Sequence, residues 1–101
     1  METDLPASGS PGLKDVATMN QTTRILMVDD DRQVIKFCST ILRRRGYEVW
    51  EANTGQQGLE MAHKLAPDLV LLDVMLPDMN GRDVCRQIKA DPALTDVFVI
   101  L

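Results

Sequence analysis

From Thr23 onward the apolar positions change period in a regular alternation. "RILMV", Arg24 to Val28, is a short continuous apolar run, the pattern of a strand covered on both faces. Behind it Asp31 is placed to cap a helix whose apolar face is Val34, Cys38, Ile41 and Leu42, widened by Ile35 and Phe37. Gly46 supplies its left-handed stop. "YEVWEA", Tyr47 to Ala52, is rich in β-branched and aromatic residues and reads as a second strand. Thr54 and Gln57 then have the spacing of a capping box. The helix they open carries Leu59, Ala62 and Leu65 inward and must end before Pro67. "LVLLD" is a third strand, more uniformly apolar than the second and therefore predicted to be central. After the loop "VMLPDMNG", Gly81 opens a helix with Val84, Cys85 and Ile88 on its apolar side. "ADPALTD" breaks the chain again, and "VFVIL", Val97 to Leu101, reads as a fourth buried strand.

The order βαβαβαβ, with buried strands alternating with helices of this length, predicts an α/β fold. Its crossovers are right-handed and its sheet is parallel, with helices on both faces. Residues 1–22, "METDLPASGSPGLKDVATMNQT", are rich in Pro, Gly, Ser and Thr and carry no periodic apolar face. Such a segment does not offset its ordering entropy and is expected to be a flexible leader. Met19 stands directly before the patterned region, so the residues ahead of it are read either as an upstream start or as an expression scar.

Composition narrows the function classes. With 101 residues, 45% hydrophobic and 26% charged, the chain has room for one ordinary globular domain. A net charge of −4 argues against a nucleic-acid surface on this segment, because phosphate binding depends on clustered Lys and Arg. The one basic run, Arg43-Arg44-Arg45, suits the last turn of a helix, where cations favour the macrodipole. Cys38 and Cys85 lie inside apolar patterns without the spacing of a metal or redox pair, so they read as small core residues in a reducing compartment. No stretch approaches the ~18–20 apolar residues of a membrane span, and the N-terminus lacks the pattern of a secretion signal. A cytoplasmic location without membrane contact is the expectation. His63 reads as a surface or boundary side chain, since no second His exists to pair with it, and Trp50 as core or boundary packing.

The acids change the picture. In open parallel sheets, ligands bind outside the carboxyl ends of the strands, where strand order reverses. Asp29 and Asp30 directly follow the first strand and Asp73 ends the third. Should those strands be neighbours, three carboxylates converge on one pocket. Like charges this close raise at least one pKa unless a cation neutralises them. The donors are hard oxygens with no His or thiolate nearby, which favours Mg²⁺, with Mn²⁺ as a substitute, over zinc or copper. The expected chemistry is phosphoryl transfer, in which a carboxylate can itself be the nucleophile. A plainer reading has Asp29, Asp30 and Asp31 as a helix-capping cluster and Asp73 as a turn former before Pro77.

At these residues the chain resembles the receiver domain of bacterial two-component response regulators. "ILMVDDD", "LVLLDVMLPDMNG" and "VCRQIKADPALTDVFVIL" carry the resemblance, which covers about Thr23 to Leu101. It implies a flavodoxin-like doubly wound sheet of order 2-1-3-4, with the family's fourth helix, fifth strand and fifth helix missing, so that residues 23–101 form a receiver domain incomplete at its C-terminus. It implies that Asp73 is the phosphoacceptor, attacking a phosphohistidine of a sensor histidine kinase or phosphotransfer protein. Asp29, Asp30, Asp73 and the backbone carbonyl of Met75 would hold Mg²⁺. The domain would then switch a downstream output domain or protein, acting as a regulated acceptor rather than an enzyme. Pro77 and Gly81 fit the family's loop after the acceptor. The family's switch Ser/Thr and phosphate-pairing Lys are not found in this sequence, and the helical pattern puts Lys64 and Lys89 away from the strand ends. Slower transfer is expected without them, and the bare fourth strand is expected to promote self-association. Two other functions compete: a scaffold or pseudo-receiver that is not phosphorylated, and a phosphatase of the haloacid-dehalogenase type. The latter needs a second Asp two residues after the nucleophile, where this chain has Met75.

Overall fold

The computed structural model describes residues 22–101, so all of the expected leader but its last residue lies outside the described residues. Four strands and three helices alternate: β1 (Arg24–Val28), α1 (Arg32–Arg44), β2 (Glu48–Ala52), α2 (Gly55–Leu65), β3 (Leu69–Leu72), α3 (Gly81–Ala90) and β4 (Phe98–Ile100), with a 3₁₀ turn at Pro92–Leu94. All pairings are parallel, in the order β2-β1-β3-β4. The apolar pattern predicted the parallel sheet, and the family resemblance implied this doubly wound order. β1 and β3 are neighbours, with Val28 opposite Leu72, and the chain reverses its direction of winding between them.

Local chemistry sets the element ends. The Asp31 carboxylate accepts from the N–H groups of Gln33 and Val34 at the start of α1. Gly46, at φ +94°, supplies the left-handed turn after it. At α2 the Thr54 hydroxyl accepts from Gln57 N–H at 3.1 Å. The Gln57 side chain reaches back to the N–H of Asn53 at 2.8 Å, one residue before the cap. Before Pro67, Ala66 takes a left-handed φ of 44° and closes α2.

Alternate residues along the strands face opposite layers. Leu26, Val28, Ala52, Val70 and Leu72 pack with Leu59 and Ala62 of α2, Val84 and Ile88 of α3, and Leu94 and Val97. On the other face, Ile25, Met27 and Val49 pack with Cys38 and Leu42 of α1 and with Tyr47, Leu69 and Leu71. The two cysteines are half-buried and free. The second layer rests on one helix among the described residues, and this corrects the predicted face of α1. Its inward line runs through Ile35, Cys38, Ser39 and Leu42, while Val34, Phe37 and Ile41 point to solvent. Both lines are apolar at helical spacing, so the sequence did not discriminate between them. The buried Ser39 directs its hydroxyl toward Met27 Sδ at 3.6 Å.

β4 also departs from expectation. It is shorter than the predicted Val97 to Leu101 and is not buried, with Phe98 74% and Ile100 55% exposed. Among the described residues it pairs only with β3, and the buried apolar positions lie just before it, at Leu94 and Val97.

Candidate functional site

The site forms where β1 and β3 end side by side. Asp29 is the first residue beyond β1 and its N–H donates to Ala52 O at 3.0 Å, continuing the ladder to β2. Asp73 is the first beyond β3, and its N–H donates to Val28 O at 2.9 Å. These bonds fix both backbones at the same edge of the sheet. Asp30 follows, more exposed. The carboxylates of Asp29, Asp30 and Asp73 each offer an oxygen within 4.8 Å of the others. The expected convergence of the three acids is therefore present.

The capping interpretation separates the acids instead of explaining them together. Asp31 caps α1, and Asp29 accepts from the N–H of Asp31 at 2.9 Å. Asp30 is not needed for either bond. Asp73 accepts from Met75 N–H only at 3.4 Å, too long for a strong turn bond.

Burial and mutual repulsion both act on the acids at this edge. Burial pushes the Asp29 carboxyl above its usual range. The charges of Asp73, Asp30 and Asp31 add to the rise, against the bond from Asp31 N–H, which lowers it. Among the described residues no basic side chain pairs with any of the three acids. Three hard oxygen donors, mutual repulsion and no protein cation make a donor set that fits a small divalent ion such as Mg²⁺.

The loop from Val74 to Asn80 leaves this edge and is closed on itself. Gly81 N–H donates to Val74 O at 2.6 Å, and Met75 and Asn80 form an isolated antiparallel bridge. The Asn80 side chain caps α3 through Arg82 N–H at 2.7 Å. Met75 is 81% exposed, and its thioether carries no proton for acid–base work, so the dehalogenase-type arrangement is not met. Sequence reasoning missed Asp78, whose carboxylate accepts from Gly55 N–H at 2.7 Å and Gln56 N–H at 2.9 Å. Its partners lie 22 and 23 residues earlier in the chain, so no local motif could have revealed them.

Lys89, His63 and Arg43 make their contacts elsewhere. Lys89 Nζ donates to Val97 O at 2.5 Å, just before β4 begins and so at the opposite end of the sheet from the acids. Lys64 sits in the last turn of α2. His63 Nδ1 lies 2.7 Å from an oxygen of Asp91, a contact at the boundary of the fold. Arg43 bonds Glu51 and the Val49 carbonyl, and the Arg24 guanidinium stacks over Trp50 at 5.3 Å.

The sequence model of the response regulator receiver domain matches residues 25–101. The chain belongs to that family. This receiver domain is 45% identical over 82 residues to the DNA-binding response regulator MtrA of Mycobacterium tuberculosis, a match covering 81% of the chain and 35% of that protein. It is 35% identical over 77 residues to the alkaline phosphatase synthesis transcriptional regulatory protein PhoP of Bacillus subtilis, covering 76% of the chain and 32% of that protein. The receiver domain thus spans about a third of the length of these relatives. Among solved structures it resembles the N-terminal domain of a response regulator receiver protein from Methanoculleus marisnigri, with a TM-score of 0.72 and 41% identity over 75% of this chain and 62% of that one. It also resembles the response regulator TrrA from Thermotoga maritima, solved in complex with Mg²⁺-BeF. That match has a TM-score of 0.74 and 31% identity over 79% of this chain and 68% of that one.

Proposed function

We propose that residues 23–101 act as the phosphoacceptor domain of a two-component system, with Asp73 as the acceptor. The observation that carries this reading is the meeting of Asp29, Asp30 and Asp73 within 4.8 Å at the end of two neighbouring strands, in a receiver-family chain. An oxygen of Asp73 attacks the phosphorus of a phosphohistidine. The new P–O bond forms as the P–N bond breaks, and the imidazole nitrogen keeps the electron pair. The product is an acyl phosphate on Asp73.

Asp29, Asp30, Asp73 and the Met75 backbone carbonyl would hold Mg²⁺, with Mn²⁺ as a substitute. When bound, the ion supplies positive charge against the phosphoryl oxygens. The chain's own part is to fix the nucleophile: the ladder bond from Asp73 N–H to Val28 O ties the acceptor to β1. The donor is a sensor histidine kinase or phosphotransfer protein. Exposed Val34, Phe37 and Ile41 lie on the helix that starts beside the acids and give that protein an apolar surface to meet. The chain is a regulated acceptor rather than an enzyme, beyond self-phosphorylation and self-dephosphorylation. Its output, which for the relative MtrA is DNA binding, is carried by an output domain or partner protein. No described helix is long and apolar enough to cross a membrane, and a cytoplasmic location suits a kinase partner.

The test is incubation with Mg²⁺ and a small-molecule phosphodonor, followed by intact-mass measurement of wild type and Asp73→Asn. A gain of one phosphoryl group in wild type alone is expected. An equal gain in both removes Asp73 as acceptor, and no gain in either leaves the scaffold reading.

A further inference from the structure

The loop that follows the acceptor is fastened to a helix that has no part in the acid cluster. At the N-terminus of α2, Thr54 satisfies only the N–H of Gln57 with its side chain. The N–H groups of Gly55 and Gln56 are instead taken by the two oxygens of Asp78, at 2.7 and 2.9 Å. Beside this fork the Met79 side chain lies so close to Gly55 that a Cβ there would fall 2.2 Å from Met79 Cγ. A carboxylate bridging two N–H groups at the positive end of a helix is a strong, oriented contact.

α2 is itself held firmly. A Cβ at Gly58 would come 2.9 Å from the γ-methyls of Val28, so the helix rests directly on β1, one residue before Asp29. The fork therefore ties the middle of the acceptor loop to the strand that presents Asp29 and Asp30. Met75 lies three positions before Asp78, inside the same closed loop.

We propose that Asp78 is a positioning residue for the cation site, holding the loop so that the Met75 carbonyl faces the ion. This rests on the proposed reading of Asp29, Asp30, Asp73 and the Met75 backbone carbonyl as ligands. With the fork removed, the loop must be ordered at the moment of binding, and affinity falls. Partners that orient metal ligands from outside the coordination sphere change affinity by about 10–100-fold when removed.

The experiment is Mg²⁺ titration of the full chain, followed by calorimetry and by amide NMR shifts, on wild type, Asp78→Ala, Asp78→Asn and Thr54→Ala. Thr54→Ala removes a cap from the same helix without touching the loop, so it controls for lost helix stability. The expected result is a Kd raised about tenfold or more in Asp78→Ala, raised less in Asp78→Asn, which keeps one acceptor oxygen, and unchanged in Thr54→Ala. Faster hydrogen exchange at Gly81, whose N–H closes the loop on Val74 O at 2.6 Å, accompanies it in Asp78→Ala. An unchanged Kd in Asp78→Asn and Asp78→Ala overturns the proposal. Equal weakening in Thr54→Ala overturns it too, because the effect is then helix stability alone. A folded wild type that binds no Mg²⁺ overturns the cation site itself, a result distinct from either.

Discussion

Gly81 sits with its α-carbon against the backbone carbonyl of Asp73, so closely that a Cβ would lie 2.1 Å from that oxygen and 2.8 Å from Val74 Cα. The obstacle is backbone, not a side chain that can turn away. Gly81→Ala must therefore push α3 off the end of β3 or shift Asp73 itself. The expected cost is on the order of 1–3 kcal/mol, the usual range for overpacking, with slower phosphoryl uptake from a small donor. Thermal melting and a phosphorylation time course check both. An unchanged melting temperature together with an unchanged rate would mean that the loop yields easily.

Ile35 and Phe37 are two residues apart on α1 and have opposite surroundings, 2% and 68% exposed. Ile35→Ala opens a cavity and is expected to cost about 2–5 kcal/mol. Phe37→Ser removes an aromatic ring from solvent and is expected to stay within about 0.5 kcal/mol of wild type. Urea denaturation of the two variants measures the contrast. Equal losses would return Phe37 to the inward face first expected of it.

That pair marks what was legible in the sequence and what was not. Features written in a few consecutive residues were readable: the cap at Asp31, the Thr54–Gln57 pair, the stop at Gly46 and the uniform apolar run of β3. The meeting of Asp30 with Asp73 was legible only conditionally: parallel crossovers fix handedness and leave strand order open, and the order that makes β1 and β3 neighbours came from the family resemblance. The inward line of α1 was not legible, since Val34, Phe37 and Ile41 have helical spacing as good as that of the buried line. β4 looked buried because its residues are apolar, whereas its exposure depends on what lies beside it. Asp78 was hidden for another reason: its partners at Gly55 and Gln56 come together with it only when the whole sheet has formed.

Asp29 works against the stability of the metal-free fold. Burial, aided by the neighbouring acids, raises its folded pKa above the ordinary carboxylate value. The folded state therefore holds the proton more tightly than the unfolded chain does. The penalty is absent below the ordinary value and grows as pH rises through the raised one. At neutral pH, Asp29→Asn is expected to melt higher than wild type in EDTA and to bind Mg²⁺ more weakly. A lower melting temperature in EDTA would show that burying this charge among the other acids is not the governing cost.

Asp78 has the opposite sign. The N–H groups of Gln56 and Gly55 hold its carboxyl below the usual value of 3.8. Between its folded and unfolded pKa values the unfolded chain binds more protons, so stability rises with pH there. The contribution is fully present above the ordinary carboxylate value and is lost as pH falls through the folded one. Asp78→Asn should therefore be less stable than wild type above about pH 4, with the gap closing as the solution is made more acid. Urea denaturation of both proteins across that range measures the gap directly. A gap of constant size down to the acid unfolding limit would assign the loss to the shape of the fork rather than to its charge.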